Sequence, residues 1–276
     1  MAHDLPYLVN CSILFTEVPL LERPAAARAA GFDAVEFWWP FATAVPTDRE
    51  AEDFVSAVRD AGVQLAGLNF FAGDMPGGDR GLVCWTERRQ EFLDTIDATV
   101  GIGEQLGCRA FNALYGNRPE GADVEHSEEV ATENLAAAGR AAARVGGTVL
   151  VEPVSGAPAY PLKTAADAVA VIDRVAEQTG VTNLGLLLDL YHLAANGDDP
   201  AAAVEAYTGR TAHVQIADHP GRGEPGTGDL QLDTWLERIQ ELGYRGHVGL
   251  EYKTAASDTV TGLDGWLPRE RRGVTA

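Results

Sequence analysis

The sequence predicts a single (β/α)8 barrel on three observations. Eight short strand-like runs alternate with helical stretches, glycine recurs just before the next strand, and 276 residues suit the roughly 250 that such a barrel needs. The runs rich in branched and aromatic residues are Tyr7–Leu14, Ala34–Trp39, Gln64–Phe70, Ala110–Leu114, Thr148–Glu152, Leu184–Asp189, Ala212–Ile216 and His247–Glu251. Between them apolar residues recur at helical spacing. Phe54, Val55, Val58 and Ala61 form one face, Phe92, Ile96 and Val100 a second, and Val169, Ile172, Val175 and Ala176 a third. Gly31, Gly62, Gly107, Gly146 and Gly243 stand where a helix C-cap feeds a short loop.

Strands alternating with helices imply a parallel sheet, and a count of eight favours closure over an open doubly wound sheet. An open nucleotide-binding sheet would carry a glycine-rich turn after its first strand. Here Leu14 is followed by Phe15-Thr16-Glu17-Val18-Pro19, without a glycine. The one GxGxxG match, Gly221 to Gly226, comes late and contains Pro225, which argues against a phosphate-cradling turn. No linker or low-complexity tract interrupts the chain, so residues 1–276 read as one domain. Residues 255–276 form a polar tail ending in Arg269-Glu270-Arg271-Arg272, ordered by packing on the barrel or on a partner subunit, so a homo-oligomer is among the expectations.

Composition narrows the function. The formal net charge is −20, from 21 basic and 41 acidic residues, which opposes nucleic acid or an anionic membrane as partner. A small anionic substrate remains compatible if local positive charge offsets that field. Cys11, Cys84 and Cys108 are odd in number and widely spaced, as in a reduced cytoplasmic protein. Met1 to Leu14 lacks the basic and apolar regions of a signal peptide, and no apolar run approaches the roughly 20 residues of a membrane span.

Barrel enzymes place catalytic groups where strands end. Thr148-Val149-Leu150-Val151 leads to Glu152, Leu184 to Leu188 leads to Asp189, Ala212-His213-Val214 leads to Gln215, and Val248-Gly249-Leu250 leads to Glu251. A single such acid commonly does no more than cap the next helix. Four polar groups after four successive runs are harder to explain that way. Three carboxylates so close raise one another's pKa, and a divalent cation removes the conflict. An all-oxygen set suits a hard ion, Mg2+ or Mn2+, better than Zn2+. His213 lies two residues before Gln215 and faces the same side, as a packing or supporting residue. Glu36 also ends a strand, in Val35-Glu36-Phe37-Trp38, and reads as structural.

These segments together resemble the hydroxypyruvate isomerase family, within the xylose-isomerase-like TIM barrels. The likeness is carried by Phe15-Thr16-Glu17-Val18-Pro19, Gly31 to Phe37, Asn69 with Gly73-Asp74, Gly78-Asp79-Arg80-Gly81, Glu152-Pro153 and Asp189-Leu190-Tyr191-His192. It continues through His213 to Asp218, Pro220-Gly221-Arg222, Glu224 to Gly228, and Gly249-Leu250-Glu251-Tyr252. The run from Gln215 to Gly228 is the most specific. Ser155-Gly156 departs from the family, which often has asparagine and a longer loop there.

The resemblance implies one divalent metal on Glu152, Asp189, Gln215 and Glu251, with Glu152 and Glu251 as the acid/base pair. The implied reaction interconverts hydroxypyruvate and tartronate semialdehyde through an enediolate that the metal stabilises. His192 and Arg222 are the candidates for holding the substrate, with Arg222 suited to its carboxylate. Phe70, Phe71, Trp38 and Trp85 are candidates for the wall of the mouth. Rival readings are a ketose epimerase, a sugar isomerase or a 2-oxo-tetronate isomerase on the same metal site. A metal nuclease would want more than six histidines and a basic groove. Outside enzymology stands a non-catalytic binding barrel, which would be indifferent to loss of Glu251.

Overall fold

The computed structural model describes residues 3–273. Its strands are β1 (Tyr7–Asn10), β2 (Ala34–Phe37), β3 (Gln64–Asn69), β4 (Ala110–Asn112), β5 (Thr148–Val151), β6 (Leu184–Asp189), β7 (Thr211–Ile216) and β8 (Val248–Leu250). Each pairs in parallel with the next, and β8 pairs with β1, closing the barrel. Around it lie α1 (Arg23–Ala30), α2 (Asp48–Ala61), α3 (Arg89–Leu106), α4 (Val124–Ala143), α5 (Ala165–Thr179), α6 (Leu190–Asn196), α7 (Pro200–Tyr207) and α8 (Leu232–Glu241). A further short helix, α9 (Thr259–Asp264), follows the last strand. All eight expected runs are strands, so the predicted (β/α)8 fold is the observed one.

Several strands end earlier than their apolar runs. The first was expected to reach Leu14 and stops at Asn10. There Asn10 Oδ1 accepts from the Ser12 N–H at 3.0 Å, and its carbonyl accepts from Leu14 N at 3.0 Å. An asparagine that bonds its own backbone two residues on makes a turn, and the apolar Leu14 is buried from that turn instead of from a strand.

The helices dock as their spacing predicts. Phe54, Val55 and Val58 of α2 are buried, each contributing on the order of 2 kcal/mol, while Ala61 is only partly covered. Reciprocal caps start two helices: Thr47 with Glu50 at α2, and Thr164 with Asp167 at α5. Each such cap is worth about 1 kcal/mol. Gly31, Gly62 and Gly107 are left-handed C-caps as expected. Gly146 and Gly243 are not the caps themselves, which are Arg144 and Leu242, but both keep positive φ in the turn just beyond.

The C-terminal segment packs on the barrel's own first helix. Leu263 and Leu267 are fully buried, and Arg272, 1% exposed, donates to the Ala30 carbonyl at 3.1 Å and the Leu267 carbonyl at 3.0 Å. Residues 274–276 of the expected tail lie outside the described residues. Among the described residues no helix is long and apolar enough to cross a membrane.

Candidate active site

Strand ends bring the four expected side chains to one end of the barrel. Glu152 follows β5, Asp189 ends β6, Gln215 lies one residue before the end of β7, and Glu251 follows β8. Asp189 and Gln215 are direct partners across their ladder. All four are buried. Above them opens a cavity of about 1060 Å3, walled by Trp38, Trp39, Phe41 and Phe71 and reached by Glu152, His192, Arg222 and Glu251. Two expected wall residues lie elsewhere. Phe70 is in the core against Phe92, and Trp85 lies under the Arg88 guanidinium at 4.9 Å.

The hydrogen bonds leave acceptors over: besides Asn112 Oδ1, two of the four expected groups each keep a buried oxygen without a donor. Asp189 Oδ1 caps α6 by accepting from Tyr191 N at 2.8 Å and His192 N at 3.1 Å, whereas its Oδ2 is buried without a partner. The helix-cap reading of a strand-end acid is therefore right for one oxygen and silent about the other. Gln215 donates from Nε2 to Glu36 Oε1 at 2.7 Å and to Glu251 Oε2 at 2.6 Å, and its Oε1 has no donor. Glu152 Oε2 accepts from Asn112 Nδ2 at 2.7 Å, and Glu251 Oε2 also accepts from Asn10 Nδ2 at 3.0 Å. A buried polar atom without a partner costs about 1–3 kcal/mol, so two such acceptors among carboxylates point to an electrophile as their missing partner.

Electrostatics point the same way. Burial first, then Glu251 and Asp189, push the Glu152 carboxyl well above its ordinary range, against the bond from Asn112. Burial lifts Glu251 to about 7, with Asp189 and Glu36 adding and Arg222 opposing. A divalent cation would relieve all of these at once. The oxygen-rich donor set of Glu152, Asp189, Gln215 and Glu251 fits a hard ion. Glu152, Asp189 and His192 offer atoms lying within 4.8 Å of one another, close enough to hold a metal. Glu251 stands outside that cluster, its carboxylate held by Arg222, Asn10 and Gln215.

His192 is better suited to donate than to ligate. The Ser155 backbone N–H donates to Nδ1 at 3.0 Å, and Ser155 Oγ lies 2.7 Å from the same nitrogen. A ring nitrogen that accepts from an amide carries no proton, so the neutral ring bears its hydrogen on Nε2. That nitrogen is 3.8 Å from Glu152 Oε1 and from Asp189 Oδ2. Burial, reinforced by Arg222 and Arg80 and opposed by Asp189, lowers the His192 pKa to about 4, which keeps the ring neutral.

Arg222 comes from the loop after β7. Asp218, fully buried, organises that loop by accepting from His219 N, Leu230 N and Gly226 N at 2.8–3.0 Å. This places the GxGxxG match in an acid-braced turn. Arg222 itself takes a φ of 58°, uncommon for a residue with a Cβ. Its Nη2 donates to Glu251 Oε1, its Nε to the Glu251 carbonyl at 3.1 Å, and its guanidinium lies 5.4 Å over the Tyr191 ring. It does not brace Glu224 or Asp218. Glu224 accepts instead from Thr254 Oγ1 at 2.6 Å.

A family model for xylose isomerase-like TIM barrels matches residues 24–270. The chain belongs to that family. A Streptomyces coelicolor A3(2) protein provisionally named hydroxypyruvate isomerase is 50% identical over 273 residues, 98% of each chain. The hydroxypyruvate isomerase of Escherichia coli K12 is 32% identical over 94% of this chain and 97% of its own. A crystal structure from Brucella melitensis, described as an AP endonuclease of family 2, aligns with a TM-score of 0.85 at 34% identity, covering 96% of this chain and 98% of that one.

Within this xylose isomerase-like barrel, three supporting residues escaped the sequence reading of strand ends, and a fourth was undervalued by it. Asn10 and Asn112 close β1 and β4, and the apolar residues that carry the expected runs on to Leu14 and Leu114 hid them as strand ends. Glu36, read as structural, bonds Gln215 and also lies 2.7 Å from His213 Nε2, so it is a support for the site. Glycines make room for it. A Cβ at Gly249 would meet Glu36 Oε1 at 2.7 Å, and one at Gly67 would meet Glu36 Oε2 at 3.1 Å. Ser155 meets His192 across 37 residues of sequence, a contact that no local pattern announces.

Proposed function

We propose that the chain is a metal-assisted isomerase that interconverts hydroxypyruvate and tartronate semialdehyde. The single observation that carries this reading is the pair of buried, donor-less acceptors, Asp189 Oδ2 and Gln215 Oε1, beside two glutamates with raised pKa at the floor of an open cavity. That the relatives are isomerases by name supports the same class, and the chain is an enzyme of that class. Glu152, Asp189, Gln215 and Glu251 would hold one divalent ion, Mg2+ or Mn2+, which when bound polarises the two substrate oxygens and offsets the charge of the enediolate.

The chain's own residues then move protons. The reaction takes a hydrogen from carbon 3 of hydroxypyruvate, returns one to carbon 2, and shifts the hydroxyl proton from O3 to O2. Atoms balance without a redox partner. Glu152 and Glu251 are the acid/base pair, since burial raises both carboxyls above the ordinary carboxylate range, Glu251 to about 7, where a group both takes and gives protons. His192 Nε2–H and the Arg222 N–H groups not spent on Glu251 hold substrate oxygens. The aromatic wall limits water at the reacting carbons. The partner is thus a small hydroxy-carbonyl acid, acted on in the cytoplasm.

Incubation with hydroxypyruvate and Mn2+ in D2O, followed by NMR, tests the reading. Deuterium should appear on carbon 2 of tartronate semialdehyde, and a chelator should stop it. Absence of both turnover and exchange with either Mg2+ or Mn2+ across pH 6–9 would overturn it.

A further inference from the structure

The cavity that holds the glutamates also draws several basic side chains to its wall, with Asp74 and Glu91 the other acids there, in a chain that is strongly acidic as a whole. Its basic lining residues are Arg23, Arg80, Arg88, Arg222 and Lys253. Most are already spoken for. Arg222 is paired with Glu251, and Arg88 with Asp79 at 2.5 Å and Glu91 at 2.6 Å. Arg23 is tied to the carbonyls of Cys11 at 2.9 Å and Val18 at 3.1 Å, its charge turned to the backbone beneath the first loop. Lys253 is exposed on a flexible stem at the rim.

Arg80 differs from each of them. It is half-buried, and among the described residues it forms no ion pair. Its Nη1 alone is engaged, donating to the carbonyls of Met75 at 3.0 Å and of its neighbour Asp79 at 2.6 Å. Those two bonds fix the plane of the guanidinium and leave the remaining N–H groups without an acceptor among the described residues. Asp79, the nearest acid in sequence, is no partner, because its Oδ2 accepts from Arg88 and from Asp74 N at 2.8 Å.

The loop that carries Arg80 is built to hold it still. Gly81 pairs with Tyr115 beyond β4, its N–H donates to the Ala72 carbonyl at 2.9 Å, and its φ is 110°. A Cβ there would sit 2.0 Å from the Leu114 carbonyl oxygen, so only glycine closes this seam. Arg80 lines the same cavity as Glu152, His192, Arg222 and Glu251, so its guanidinium shares the space in which the substrate must sit.

We infer that Arg80 is the residue that binds the substrate's carboxylate, and so selects an acid over a neutral sugar. The inference rests on the proposed function. A pre-set guanidinium with free, parallel N–H donors, lining the cavity of the glutamates and lacking an acidic partner, is a bidentate receptor for a carboxylate. In a molecule of net charge −20 it supplies the local cation that an anionic substrate requires. Arg222, already neutralised by Glu251, is left to the oxygens at the reacting carbons.

Hydroxypyruvate and dihydroxyacetone make the test, because they differ only in a carboxylate replaced by a hydroxymethyl group. Binding to the Mn2+-loaded enzyme is measured by calorimetry, and KM and kcat by turnover, for the wild type, Arg80→Met and Arg80→Lys. Arg80→Met is expected to weaken hydroxypyruvate binding and raise its KM ten- to a hundredfold, with kcat changed less than threefold and dihydroxyacetone unaffected. Arg80→Lys should restore part of the loss. If the wild type prefers hydroxypyruvate and Arg80→Met keeps that preference, or loses both ligands equally, the assignment to Arg80 is overturned and the proposed function stands. If the wild type itself does not distinguish the two compounds, the acid-isomerase reading falls, and the role of Arg80 falls with it.

Discussion

Gln215 Nε2 lies 2.7 Å from Glu36 Oε1, and this bond decides which end of the Gln215 amide faces the site. A carboxylate accepts and never donates, so the amide must turn its NH2 toward Glu36 and Glu251 and keep Oε1 as a free acceptor. The His213 ring holds the other Glu36 oxygen at 2.7 Å, so the orientation is set two residues deep.

Loss of that lock should be read in metal affinity before activity. Glu36→Gln keeps the shape but turns one acceptor into a donor, so either the Gln215 bond is lost or the His213 ring must take the tautomer that accepts. Supporting residues of this kind typically contribute ten- to a hundredfold in metal affinity. Mn2+ titration should show a loss of that size. An affinity within twofold of wild type would return Glu36 to a purely structural role.

The complementary change, Gln215→Glu, puts another carboxylate beside Glu36 and Glu251, at what are now 2.7 Å and 2.6 Å contacts. Without a cation it must stay protonated or repel both neighbours, so the metal-free variant should melt several degrees below wild type at pH 8. Mn2+ should recover that difference, and binding should hold or tighten. Turnover should fall at least about tenfold, because extra negative charge opposes the enediolate. Unchanged turnover at saturating metal would remove Gln215 from the metal's donors.

The sequence disclosed the barrel because period-two runs and glycine stops are local. It disclosed Glu152, Asp189, Gln215 and Glu251 because a barrel converts strand ends into neighbours. It could not disclose Ser155 on His192, Arg222 on Glu251 or the solitude of Arg80, since each depends on where one loop meets another. Glu36 was undervalued for a related reason. Its importance lies in the bonds from His213 and Gln215, both on a strand far away in sequence.

Metal removal should give the protein a distinctive dependence on pH. Glu152 and Glu251 have folded pKa values raised above the ordinary carboxylate value, Glu251 to about 7. The unfolded chain therefore releases these protons first as pH rises. The folded state then holds more protons, and stability falls with rising pH. The contribution is complete below about pH 4.5 and lost as pH climbs through about 7 and beyond. Melting of chelator-treated protein should drop across that window, and Mg2+ or Mn2+ should flatten the curve. A slope that metal leaves unchanged would mean that these carboxylates do not share an ion.

Arg222 supplies the last prediction, because its pairing with Glu251 separates two roles. Its positive charge is what holds the Glu251 carboxyl down against burial, Asp189 and Glu36. In Arg222→Met that opposition vanishes, so the Glu251 pKa must rise and the alkaline-going limb of the pH–rate profile must move upward. The charged hydrogen bond to Glu251 Oε1 and the bond to its carbonyl are lost together, leaving a reacting carboxylate less well placed. Removing a bond to a charged group costs on the order of 1.5–3 kcal/mol, or about ten- to a hundredfold in kcat/KM. If Arg222 acts on Glu251 and the reacting oxygens, the loss falls on kcat and is similar for hydroxypyruvate and dihydroxyacetone. If it reads the carboxylate, as the loop sequence alone suggests, the loss is confined to hydroxypyruvate and appears in KM. Steady-state kinetics on both substrates, with the pH profile, decide between them, and the geometry at Glu251 favours the first outcome.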